Sequence, residues 1–137
     1  PRLVQALEWV ERFDHPSVRL SLDLWQFGHE PTLRDLLPDV VKHLALVKLA
    51  DRIGTPTSDR ERLPPGQGDL PLEELVADLH AAGYRGDIEF EVVGEAVEAI
   101  GYDAVLRHLR GVTEGWAKPM RRSIPREIVR VASPARH

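Results

Sequence analysis

The sequence predicts an α/β fold of parallel strands, of the (β/α) barrel type, and three observations carry that prediction. Segments of strand and helix character alternate along the chain. The connections after the strands are long and those after the helices short, as in barrels that carry functional loops at the C-terminal ends of their strands. Only three strands are visible in 137 residues, whereas a closed barrel needs eight in roughly 250. The chain is therefore expected to form about half of one.

Leu3, Ala6, Leu7, Val10 and Phe13 recur at helical spacing, and Asp14-His15-Pro16 stops that run. Residues 18–23 alternate apolar and polar and read as a strand ending at Asp23. Thr32 is placed to cap a second helix that uses Leu33, Leu36, Leu37, Val40 and Val41. Residues 44–49 form a nearly continuous apolar run, the type expected of a strand buried on both faces. Residues 51–71, "DRIGTPTSDRERLPPGQGDLP", make a loop of a length that is uncommon in a compact domain unless it is functional. A third helix over 72–82 ends at Gly83, which suits a left-handed cap. A strand over 87–92 follows, then a fourth helix over 102–110. Beyond Trp116 come Pro119, Pro125 and Pro134 with clustered arginines. Residues 118–137 are accordingly set apart as a basic, proline-containing extension of a domain spanning 1–117.

Composition narrows the function classes. With 18 basic and 22 acidic residues the net charge is −4, which offers no general attraction to nucleic acid or to a membrane. Cysteine is absent, so disulfides and thiolate metal sites are excluded. No apolar run approaches transmembrane length and the N-terminus has no signal-peptide pattern. A soluble, cytoplasmic protein is the expectation. The first residue is Pro1 rather than Met, so the chain reads as processed, trimmed or a piece of something longer.

Asp23, Lys48 with Asp51, and Glu91 fall at or near strand ends, where parallel strands bring distant residues to one rim. Oxygen ligands of this kind suit Mg²⁺, Mn²⁺ or Zn²⁺. The same carboxylates serve equally well in caps and structural ion pairs. Glu89 and Glu91 share one face of an otherwise apolar strand, and an unpaired buried carboxylate is costly. His29 is the one histidine placed in a loop after a strand, and Trp25 and Phe27 flank that loop as either a wall for a sugar ring or core. Pro-Gly-x-Gly in "PPGQGDLP" reads as turn chemistry or as a glycine loop near a ligand. Arg60 and Arg62 either hold an anionic group or remain solvated.

Taken in order, "VRLSLDLW", "LALVKLADR" and "RLPPGQGDLPLEELVADLHAAGYRGDIEFEV" resemble the C-terminal part of the xylose isomerase-like TIM barrels. These are sugar phosphate isomerases and epimerases, with endonuclease IV as a relative. The resemblance covers about residues 1–115 and corresponds to the last three βα units. It implies that Asp23 and Glu91 are two of the family's four metal ligands. It also implies that Arg62 helps hold the substrate; Trp25, Gln26 and His29, in the loop after the first strand, are placed beside it. Glu91 would then be compensated by a divalent cation (Mn, Mg or Zn) and by substrate oxygens. Glu89, one layer deeper, is expected to have an arginine or lysine partner.

The chain departs from the family pattern at three places. Lys48 stands where the family has its histidine ligand, and a protonated lysine repels a metal ion. Gln26 stands where the family usually has a histidine three residues after the strand aspartate. The fourth ligand, a glutamate from an earlier strand, falls outside this chain. At most two of the four ligands are present, and the Lys48 ammonium can instead pair with Asp23 and Glu91 in a metal-free site.

The resemblance implies isomerase or epimerase chemistry on a small, sugar-like polyhydroxy substrate. Glu91 would remove a proton next to a carbonyl, and a metal or Lys48 would stabilise the enediolate. The alternative is a non-catalytic or accessory barrel subunit; a nuclease is disfavoured by the acidic balance and the missing histidines. Three parallel strands leave two open edges, and parallel sheets occur almost only with both faces buried. The face that would line a barrel interior is expected to carry Leu20 and Leu22 or their neighbours, depending on register. An oligomer, a partner chain or the rest of the native chain is therefore expected to complete the fold.

Overall fold

Leu3, Leu7 and Val10 bury one stripe of the first helix, α1 (Leu3–Phe13), and Asp14 ends it in the left-handed region with its N–H bonded to the Val10 carbonyl. The structure is a computed structural model that describes residues 2–123. After α1 come β1 (Leu20–Asp23), the single turn α2 (Leu24–Phe27), α3 (Leu33–Val40) and a 3-10 turn (Val41–His43). Then follow β2 (Leu44–Leu49), α4 (Leu72–Ala81), β3 (Asp87–Phe90), α5 (Glu95–Ile100) and α6 (Tyr102–Ser123). The strands form one sheet in the order β1-β2-β3, with both pairings parallel.

Register fixes what each face carries. Leu22 pairs with Val47 and Val47 with Ile88, while Leu49 pairs with Phe90. Leu22, Val47 and Leu49 are buried with Leu7, Leu37, Val40, Leu75 and Leu79 of the helices. The alternate positions Ser21, Asp23, Leu46, Lys48, Asp87 and Glu89 lie on the opposite face, because side chains alternate along a strand. Apart from Leu46 that face is polar, not lined by Leu20 and Leu22: Leu22 is fully covered on the helix side.

Two strands are shorter than their sequence pattern. The Val18 N–H closes a turn onto the His15 carbonyl, so β1 starts only at Leu20. Glu91 N–H still donates to the Leu49 carbonyl, but Val93 then exchanges both backbone bonds with Arg62, which draws the chain away from β2. Other differences are local. Thr32 occupies the N-cap of α3, but its hydroxyl donates to the Glu30 carboxylate and makes no cap bond. Phe13, at the end of α1, is exposed. The helix α5 has a single buried side chain, Val97, which is too weak a pattern to read from sequence. The helix α6 runs on from residue 110 to Ser123, across the boundary drawn at 117. Residues 124–137 of the basic extension lie outside the described residues.

The long loop is built around Asp51, a buried acid at 1% exposure. Its Oδ1 accepts from the backbone N–H groups of Arg52 and Leu70, at 2.9 and 3.1 Å, and its Oδ2 from Gly66 N–H at 2.9 Å. A carboxylate holding three N–H groups is a strong anchor in a site shielded from water. Asp51 and Leu63 also exchange two backbone bonds, at 2.8 and 2.9 Å. The Pro-Gly-x-Gly turn is thus directed inward onto Asp51, and a Cβ on Gly68 would meet the Asp51 Oδ1.

Candidate active site

The strand ends bring Asp23, Lys48 and Glu91 to one rim, and the loop delivers Arg62 among them. Arg62 Nη2 lies 2.9 Å from Asp23 Oδ2, and Nη1 lies 3.6 Å from Glu91 Oε2. Lys48 Nζ reaches the same Glu91 oxygen at 3.1 Å. Asp23 Oδ1 accepts from Trp25 N–H at 3.1 Å and caps α2, so both of its oxygens are engaged.

Arg62 is fixed from several sides. Its guanidinium stacks over the Trp25 ring at 4.3 Å, and its Nε–H donates to the Asp59 carbonyl at 3.1 Å. Trp25 Nε1–H donates to the Glu61 carbonyl at 2.8 Å, which ties the ring to the same loop. A largely covered arginine between two carboxylates and an aromatic face suits the planar guanidinium, which pairs and stacks at once. The Arg62 side chain is 12% exposed, whereas those of Lys48 and Glu91 are 31% and 33% exposed. Lys48 and Glu91 are therefore the members a ligand can reach.

The donor set does not fit a divalent metal ion. An ion bound by Asp23 and Glu91 has to displace the guanidinium that spans them and sit beside the Lys48 ammonium. A divalent ion and an ammonium about 4 Å apart repel by about 8 kcal/mol at an effective dielectric of about 20. With the guanidinium displaced, a divalent ion and the Lys48 ammonium still bring three positive charges to two carboxylates. Among the described residues, no three His, Asp or Glu side chains come together as a metal set.

The other residues singled out from sequence lie around this cluster. Trp25 is buried with Arg62 on one ring face, so it supports the arginine. Gln26 is exposed on α2. His29 turns to the loop, its Nε2 at 3.0 Å from Asp69 Oδ1. Gly54 N–H and the His29 ring hold the Asp69 carboxyl below its ordinary range. Asp51 anchors the loop through its backbone and does not pair with Lys48. Glu89 has no arginine or lysine partner among the described residues: it is exposed on the sheet face away from the helices, and Lys48, its register partner, reaches on to Glu91.

Parallel βα units with ionised side chains gathered at the strand C-terminal rim define a part of a (β/α) barrel, with the candidate site on the face where such barrels carry theirs. The family model for the xylose isomerase-like TIM barrel matches residues 2–118, and the chain belongs to that family. Among solved structures it is similar to the IolI protein with a bound zinc atom, at TM-score 0.71 and 20% identity, covering 83% of this chain and 42% of that one. A xylose isomerase domain protein from Alicyclobacillus acidocaldarius matches at TM-score 0.67 and 28% identity, over 84% of this chain and 42% of that one. D-psicose 3-epimerase with D-tagatose, from Clostridium cellulolyticum H10, matches at TM-score 0.63 and 17% identity, over 83% and 42%. The chain thus spans less than half the length of these relatives. No described helix is long and apolar enough to cross a membrane.

Proposed function

We propose that the chain carries the reactive rim of a sugar or sugar phosphate isomerase or epimerase. The observation behind this reading is the pairing of Glu91 with Lys48 at 3.1 Å, both partly open to solvent, at the strand C-terminal rim of this family's barrel. A small polyhydroxy carbonyl compound would place its carbonyl oxygen on the Lys48 ammonium, drawing it away from Glu91. The freed Glu91 carboxylate then removes the proton from the adjacent carbon, and the electron pair passes to the carbonyl oxygen, giving an enediolate held by ammonium. Return of the proton to the neighbouring carbon, with the hydroxyl proton passing from one enediolate oxygen to the other, completes an isomerisation; an epimerisation needs a second proton donor on the opposite face, from outside this rim. We expect this to occur in the cytoplasm. The test is deuterium uptake from solvent, followed by NMR, over a panel of ketoses and ketose phosphates with the full native protein. Exchange at the carbon next to the carbonyl that Glu91→Gln abolishes supports the reading. Absence of exchange across the panel, or exchange unchanged in Glu91→Gln, overturns it.

A second reading is that the chain is an accessory barrel part that works only with further strands docked on its open edges. It is favoured by the apolar side chains left uncovered along both flanks: Trp9 and Phe13 on α1, Tyr102 and Leu106 on α6. Each pair is spaced i, i+4, so each forms a stripe on its helix. The occupant we expect is a polypeptide supplying the strands that this chain lacks relative to the barrels it resembles. Light scattering on the 137 residues alone decides: self-association or aggregation agrees, and a compact monomer with one sharp melt does not.

A further inference from the structure

We infer that the Arg62 guanidinium is a permanent internal cation that takes the place of a divalent metal at this rim, so that the fold of the site is metal-independent. The inference stands on geometry alone and holds whether or not the chain turns over a sugar. Asp23 and Glu91 point at one volume, and that volume contains Nη1 and Nη2 of Arg62. A side chain merely resting there in the absence of an ion would be exposed and loosely held. Arg62 is instead sandwiched between Trp25 and the carboxylates, with its Nε on the Asp59 carbonyl. Its backbone is locked to Val93 by two hydrogen bonds, of 3.2 and 3.1 Å, which fix the side chain's point of departure over the β3 end. Gly94 follows at φ 126, packed so closely that a Cβ there would overlap the Arg60 carbonyl, so the segment carrying Arg62 and the strand end are docked with no slack. Lys48 completes the arrangement. It adds the second positive charge, so the two carboxylates are balanced without any ion.

Position and reach divide the two cations. Arg62 is the covered, structural one, and Lys48 is the accessible one that a ligand can engage. A ligand with oxyanion or carbonyl oxygens can then bind through Lys48 while Arg62 keeps the carboxylates together.

The test is metal titration of the full native protein, in the assembly it forms, after purification in chelator. Mass spectrometric metal analysis should find no stoichiometric Mn, Zn or Mg, and the melting temperature should be the same in EDTA as in millimolar MnCl₂ or ZnCl₂. A site-bound ion at about 100 times its Kd would raise Tm by several degrees. In Lys48→His with Arg62→Gln, the two blocking cations are gone and a histidine joins Asp23 and Glu91. That variant should melt lower in EDTA and recover with Mn²⁺ or Zn²⁺. Stoichiometric metal in the wild-type protein, or a wild-type Tm that rises several degrees with either ion, overturns the inference. Should the double variant fail to fold, the wild-type measurements decide alone.

Discussion

The Arg62 guanidinium lies 2.9 Å from the Asp23 carboxylate although 39 residues separate them in sequence. The contact joins the limb of the long loop next to Leu63, which pairs with Asp51, to the end of the first strand. Removing the arginine leaves Asp23 without its ion-pair partner and Glu91 with Lys48 alone. We expect Arg62→Met to cost about 2–3 kcal/mol in urea unfolding, below the 3–5 kcal/mol of fully buried pairs because Asp23 keeps contact with water. Arg62→Lys should recover only part of this, since an ammonium can neither fork nor stack. A neutral effect of Arg62→Met would show that the cluster is not coupled to the fold.

Asp51 is expected to matter more for the loop than any residue at the rim. Asp51→Ala leaves three backbone N–H groups without an acceptor in a dry pocket, each worth about 1–3 kcal/mol. The loop over 51–71 should become the first site of limited proteolysis, and Asp51→Asn should fall between the two. Retained protease resistance in Asp51→Ala would contradict the anchoring role.

Two glycines give opposite expectations. At Gly94, φ 126 lies where an L side chain is strained, and a Cβ would overlap the Arg60 carbonyl, so Gly94→Ala should cost about 3 kcal/mol or more. At Gly111, within α6, a Cβ meets open space, and Gly111→Ala should gain about 0.5–1 kcal/mol. Thermal denaturation of the pair checks both signs at once.

Much of the fold is legible in the sequence because its signals are local. The apolar run over 44–49 is β2 to the residue, and the i, i+3, i+4 pattern marks α1, α3 and α4. The strand ends bearing Asp23, Lys48 and Glu91 are legible for the same reason. What could not be read depends on contacts distant in sequence. The resemblance places Arg62 at the site, but its pairing with Asp23 depends on the backbone bonds to Val93, which nothing near residue 62 announces. Glu89 looks buried beside Ile88 and Phe90, yet it lies on the sheet face away from the helices and is exposed. Asp51 looks like a site residue because it follows the strand, but the turn through Gly66 claims its carboxylate.

The loop should also respond to acid. The Asp69 carboxyl is held below its ordinary range first by Gly54 N–H and then by His29. A group with a lowered folded-state pKa stabilises the fold above its unfolded value, and the contribution is lost as pH falls through the folded value. The Asp69 contribution is therefore complete above about pH 4 and disappears in stronger acid. The Gly54 amide resonance should titrate with a midpoint below 3.8, and Asp69→Asn should remove the titration. A midpoint at or above that value would contradict the hydrogen-bonded arrangement.

Whether the rim is one coupled ionic unit is tested most directly by a double-mutant cycle on Asp23 and Arg62. Asp23→Asn keeps an acceptor for Trp25 N–H, and Arg62→Met keeps an apolar stem against the Trp25 ring, so each single change removes chiefly the charge. The unfolding free energies of the wild type, the two singles and the double should give a coupling energy of about 1–3 kcal/mol. Additivity within about 0.5 kcal/mol would mean that the 2.9 Å contact carries no interaction, and the cation-bridged rim described above would not stand.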